Sequence, residues 1–90
     1  MPETIRDDLT GDGWKQLPFT PFRGDVTIHW ICPFAEDRPG VALLKYPAGA
    51  SVPRHRHEGL ETILVLDGVQ SDESGDYPRG SYIVNAPGTE

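Results

Sequence analysis

Apolar positions along this chain recur at every second residue over short stretches, and no window sustains a helical period, so the predicted elements are strands. From Val26 to Cys32 the side chains of Val26, Ile28 and Trp30 alternate with those of Thr27, His29 and Ile31, which predicts a strand with one apolar face. Pro33 to Gly40 reads as a charged loop, Val41 to Tyr46 as the next strand, and Pro47-Ala48-Gly49 as the turn after it. Glu61 to Leu66 is a nearly continuous apolar run that sets Glu61, Ile63 and Val65 on an inner face and Leu64 and Leu66 on the opposite one. Such a strand needs both faces covered, by another sheet, by the aromatic segment near the N-terminus or by a second subunit. Gln70 to Gly80 predicts a tight hairpin with Ser74-Gly75-Asp76 at its tip, and Ser81 to Asn85 a last strand ending at Pro87-Gly88.

Ahead of these strands, residues 1–13 are polar and broken by Gly11-Asp12-Gly13, which predicts a flexible arm leading into a single domain over residues 14–90. Trp14 to Phe22 carries three aromatics and two prolines, the composition of an edge strand or of an extended cover over a sheet. Strands succeeding one another every 10 to 15 residues, with ten glycines and nine prolines between them, make the fold class all-β, a barrel or a sandwich. Ninety residues are one domain with a thin core, because a chain of this size buries only somewhat over about 60% of its unfolded surface.

Charge and cysteine usage narrow the partners. A formal charge of −6 argues against nucleic acid and against an anionic membrane. No apolar run approaches the roughly 18 residues of a membrane span, and the N-terminus places acidic rather than basic residues ahead of any apolar stretch, so a cytoplasmic location is expected. Cys32 is alone, which excludes an intrachain disulfide, and it reads as a small apolar residue at a strand end.

The chemistry concentrates in residues 49–68. In an extended strand His55 and His57 point the same way and Arg56 the opposite way, towards a surface or interface. A turn over Glu58-Gly59-Leu60 with an antiparallel return would bring Glu61 beside both imidazoles. Two neutral imidazoles and a carboxylate suit a divalent transition metal, which also compensates the cost of gathering three ionisable groups. The alternative is a solvated, hydrogen-bonded polar cluster without metal. Ile63, Val65 and Ile83 would shape the adjoining pocket, and Tyr46, Tyr77 and Tyr82 mostly pack. His29 has no spacing partner and reads as a strand residue that faces solvent or fills a gap.

The spacing Gly-x5-His-x-His-x3-Glu-x6-Gly arises by chance in a chain of this composition with a probability of roughly 6 × 10⁻⁵. It resembles the first motif of the cupin superfamily, matched without a gap by Gly49, His55, His57, Glu61 and Gly68. The resemblance implies a small jelly-roll barrel, the double-stranded β-helix, with His55, His57 and Glu61 as metal ligands. Of the second cupin motif, Gly-x5-Pro-x-Gly-x2-His-x3-Asn, Gly80 and Gly88 stand in register, while Ala86 occupies the proline position and Pro87 follows it. The fourth family ligand, a histidine, would fall one residue beyond Glu90. The expectation is therefore either a fragment of a longer cupin lacking its last strands, or a three-ligand site that takes those strands from elsewhere.

Residues Asp72-Glu73-Ser74-Gly75-Asp76-Tyr77-Pro78-Arg79-Gly80, following Leu66-Asp67-Gly68, are similar to the ChrR-like group of cupins. That group includes C-terminal domains of zinc-dependent anti-sigma factors, small stand-alone proteins and dioxygenase-like enzymes. The anti-sigma role requires a helical domain with its own His and Cys ligands, and residues 1–13 contain neither, so it is not carried over. The resulting expectation is a metal-binding cupin of unassigned activity that holds a divalent metal, zinc or iron before nickel or manganese, and meets a small-molecule ligand or substrate. Two further readings stand beside it, an Fe(II) dioxygenase acting on a small diketone or aromatic ketone, and a small-molecule sensing module. An apolar outer face and an unfinished barrel predict a homodimer. Metal binding should weaken below roughly pH 6.5, because only the neutral imidazole ring coordinates.

Overall fold

The alternation in residues 26–32 forms β2 (Val26–Cys32), the middle strand of an antiparallel sheet ordered β1-β2-β3, with β1 at Thr20–Arg23 and β3 at Val41–Lys45. The structure is a computed structural model that describes residues 1–50 and 57–89. The chain divides into two units, Met1–Ser51 and Val52–Glu90. In the first, Val26 and Ile28 are buried as the alternation predicts, but Trp30 is 46% exposed and His29, from the opposite face, only 8% exposed. Two causes are visible. The register slips between Trp30 and Cys32, which ends the regular alternation there, and the residues before β1 cover His29.

The aromatic segment expected as an edge strand or a cover supplies both. Gly13–Gln16 forms a 3-10 helix, and Thr20–Arg23 forms β1, where Pro21 is tolerated at the sheet edge because a proline has no amide hydrogen to give a second neighbour. Phe19 packs against the His29 ring at 6.0 Å between centroids, and Lys45 Nζ lies over the rings of Phe19 and Trp14 at 4.3 and 5.6 Å. Within the N-terminal thirteen residues, Gly11 N and Gly13 N donate to Asp8 O, and Arg6 Nε donates to His29 Nε2. The first two bonds fold the expected arm on itself, and the third ties it to β2.

The second unit contains two antiparallel pairs. β4 (Glu61–Leu64) pairs with β7 (Tyr82–Asn85) in the register Glu61↔Asn85, Thr62↔Val84, Ile63↔Ile83 and Leu64↔Tyr82. Glu61, Ile63, Ile83 and Asn85 are half-buried and Val65 is buried, whereas Leu64, Tyr82 and Val84 are exposed, so the predicted alternation of faces holds from Glu61 to Val65, while Leu66, expected on the outer face, is half-buried. Regular pairing stops at Leu64 rather than Leu66, although Val65 N still donates to Ser81 O and Gly80 N to Val65 O. β5 (Val69–Asp72) and β6 (Gly75–Pro78) form the predicted hairpin, with Glu73-Ser74 at the tip and Gly75 and Asp76 already in the strand.

The described residues are thus all-β apart from the short 3-10 helix, with seven strands in three sheets. The buried apolar side chains among them are Val26 and Ile28 in the first unit and Val65 in the second, the few expected of a short chain. No helix among the described residues is long and apolar enough to cross a membrane.

Candidate metal centre

His57 and Glu61, four residues apart, are brought together by a common partner, the segment from Asn85 to Thr89. The backbone of His57 is anchored at both ends, its N–H donating to Thr89 O at 2.8 Å and its carbonyl accepting from Gly88 N at 2.7 Å. Glu61 sits opposite Asn85 at the start of β4. The expected antiparallel return of Glu61 alongside the histidine strand involves His55 and Arg56, which lie outside the described residues. Among the described residues β4 pairs with β7, and consecutive parts of one segment hold the imidazole and the carboxylate.

Gly88 makes this possible. Its φ of 84° lies in the left-handed region, where a Cβ is unfavourable, and this turn aims Gly88 N at His57. Gly80, the other glycine of the second motif, has a φ of 92° and donates to Val65 O at the opposite end of the β4–β7 pair. The spacing of these two glycines in the sequence is thus the spacing of two turns that bracket β7.

The hydrogen bonds of the ring define its tautomer. Thr89 O lies 2.9 Å from His57 Nδ1, and a carbonyl oxygen only accepts, so Nδ1 carries the proton. Nε2 stands 3.3 Å from Glu61 Oε1, and that same oxygen accepts from Asn85 Nδ2 at 3.1 Å. A neutral ring in this tautomer points a lone pair at a carboxylate oxygen. A proton on Nε2 converts the contact into an ion pair, and a metal cation reached by both donors resolves it equally well. Two donors bonded at about 2.0–2.1 Å to one tetrahedral ion stand about 3.3–3.4 Å apart, so the observed separation fits a shared divalent metal. The His57 side chain is 10% exposed and that of Glu61 43%, which leaves the carboxylate side of the pair open to solvent.

His55, the third expected ligand, lies outside the described residues, as do Arg54 and Arg56. Among the described residues no three His, Cys, Asp or Glu side chains gather in a metal-binding group. Ile63, Val65 and Ile83 share the inward face with Glu61. His29 is engaged at both nitrogens, Nδ1 donating to Pro18 O at 2.9 Å and Nε2 accepting from Arg6 Nε at 3.0 Å, which leaves it no lone pair for a metal. The role of Asn85 beside Glu61 is absent from the sequence reading. Its signal is its place on the inward row Ser81, Ile83, Asn85, where an amide follows the apolar Ile83 at the end of the strand.

The hairpin carries the other polar cluster. Asp72 Oδ1 accepts from the Tyr77 hydroxyl at 2.8 Å, from Ser74 N at 2.7 Å and from Gly75 N at 3.2 Å, and Ser71 Oγ donates to Asp76 Oδ1 at 2.6 Å. The Tyr77 hydroxyl, with the two amides, holds the exposed Asp72 carboxyl below the usual carboxylate range, and the bonded carboxylate raises Tyr77. These bonds close the tip, so the Asp-Glu, Gly, Tyr pattern of residues 72–77 is explained by turn chemistry.

Comparison with curated proteins and with solved structures gives no match. The family model of the ChrR cupin-like domain matches residues 13–90, from the 3-10 helix through the segment that holds His57 and Glu61. This chain is a member of the ChrR cupin-like domain family.

Proposed function

We propose that the chain is a metal-binding cupin domain whose divalent ion is held by His57, Glu61 and His55, with zinc or iron as the fitting metals. The observation that carries the reading is the 3.3 Å approach of His57 Nε2 to Glu61 Oε1 while Nδ1 is committed to a backbone carbonyl. Histidine ligands characteristically donate their second ring nitrogen in this way, which orients the ring and raises its basicity. His55 enters through its spacing to His57 and Glu61 in the family motif. When bound, the metal would act as a Lewis acid with coordination positions left for a small molecule.

The exposure of Glu61 favours access of a small molecule, and Ile63, Val65 and Ile83 on the same face would supply apolar contact. On this reading the protein binds or senses a small molecule, and dioxygenase-type turnover of a diketone is the second reading, favoured by the same open side. The exposed row of Leu64, Tyr82 and Val84 supports a homodimer, and a folded monomer by light scattering removes that expectation. A cytoplasmic location accords with the N-terminal charge order.

The test is metal content by mass spectrometry after loading and desalting, for wild type and for His57→Ala. One equivalent in wild type and near none in the variant is the expected result. Equal retention by both removes His57 from the site. Oxygen uptake with Fe(II) and a diketone then separates the two activities, since the binding reading expects none.

A further inference from the structure

We infer that Asn85 is a positioning residue of the metal centre, which holds the Glu61 carboxylate towards His57 before any metal arrives. The inference rests on the metal reading of His57 and Glu61 and goes beyond it, to a residue outside the ligand set. Asn85 is directly opposite Glu61 in the β4–β7 register, so the two side chains emerge on the same face as immediate neighbours. An ionised carboxylate only accepts hydrogen bonds, so the Asn85 amide must present its nitrogen, as it does at 3.1 Å.

The bond falls on Oε1, the carboxylate oxygen that also stands 3.3 Å from His57 Nε2. With its side chain 43% exposed, Glu61 has open directions in which to turn. The Asn85 amide selects the one that faces the imidazole and places a partial positive charge where two lone pairs converge. A leucine of nearly the same size would fill the space without providing either effect.

Three members of one short segment therefore divide the work. Thr89 O sets the tautomer of His57, Gly88 N sets its backbone, and Asn85 sets the carboxylate. The Asn85 contribution comes from its side-chain amide, which a substitution can remove without altering the backbone.

The experiment is zinc affinity by competition with a chromophoric chelator, on the full chain, for wild type, Asn85→Leu, Glu61→Gln and His57→Ala. Loss of a group that orients a metal ligand typically lowers affinity 10–100-fold, and that drop is expected for Asn85→Leu while the metal-free variant keeps the near-UV circular dichroism of wild type. Asn85→Ala replaces it if the leucine variant does not fold. A residue that serves the fold alone would alter the metal-free spectrum and leave affinity unchanged. In wild type the Asn85 side-chain amide resonances should also move on zinc addition. If His57→Ala and Glu61→Gln lose zinc but the Asn85 variants bind within twofold of wild type, the role of Asn85 is refuted and the metal reading stands. If His57→Ala and Glu61→Gln bind like wild type, or wild type takes up no zinc, the metal reading fails and this inference with it.

Discussion

His29 and His57 hold the same tautomer, yet their surroundings are opposite in sign. Each donates Nδ1–H to a backbone carbonyl at 2.9 Å, Pro18 O for His29 and Thr89 O for His57. On the far side, His29 Nε2 meets the guanidinium N–H of Arg6 at 3.0 Å, whereas His57 Nε2 meets a Glu61 carboxylate oxygen at 3.3 Å. A donor there completes the hydrogen bonding of the ring, and His29 becomes a joint between the N-terminal segment, the turn before β1 and β2. An acceptor there calls for a cation. The residue type is the same in both places, and the charge facing Nε2 separates a structural histidine from a candidate ligand.

Exchanging the two residues for alanine tests the contrast most directly. His57→Ala should lower zinc affinity by more than about a hundredfold, over about 2.7 kcal/mol, as read by chelator competition. His29→Ala should leave that affinity unchanged and lower stability by about 1–3 kcal/mol in urea unfolding, because it strips Arg6 Nε and Pro18 O of their shared partner. Metal loss in His29→Ala would erase the distinction. Gly88→Ala should cost about 1 kcal/mol from the left-handed φ and weaken zinc severalfold by displacing the backbone on His57, readable by thermal unfolding and chelator competition.

The smallest expected effect is at the hairpin, remote in sequence from both histidines, and it serves as a control. Asp72 is held low, so it adds stability that is complete above its unfolded value near about 4 and is lost as pH falls through the lower folded one. Tyr77 is held high, so its share is complete below about 10 and is lost as pH rises through its folded value. Tyr77→Phe should raise the Asp72 midpoint in a carboxyl NMR titration and leave zinc affinity unchanged. An unmoved midpoint would show that the Tyr77 hydroxyl does not hold the carboxylate.

Much of this was legible in the chain because it depends on local periodicity. The two-residue alternation predicts β2 and the inward row Glu61, Ile63, Val65, and turn residues predict the hairpin within a residue or two. Alternation misplaces Trp30 and His29, because the slip before Cys32 and the cover from Pro18 and Phe19 are contacts between segments. The same holds for Asn85, whose importance depends on the register of β7 against β4, and register is not visible from either strand alone.

By itself the sequence determined the all-β class, the membership in the ChrR cupin-like family and the spacing that makes His57 and Glu61 candidates, because these follow from residue type and order along the chain. Only the tertiary structure decided which nitrogen of His57 carries the proton, that Glu61 Oε1 is the oxygen facing it, and that His29 is closed to metal. Each of those depends on a partner 11 to 32 residues away in the chain or on a side-chain direction, and a linear pattern contains neither.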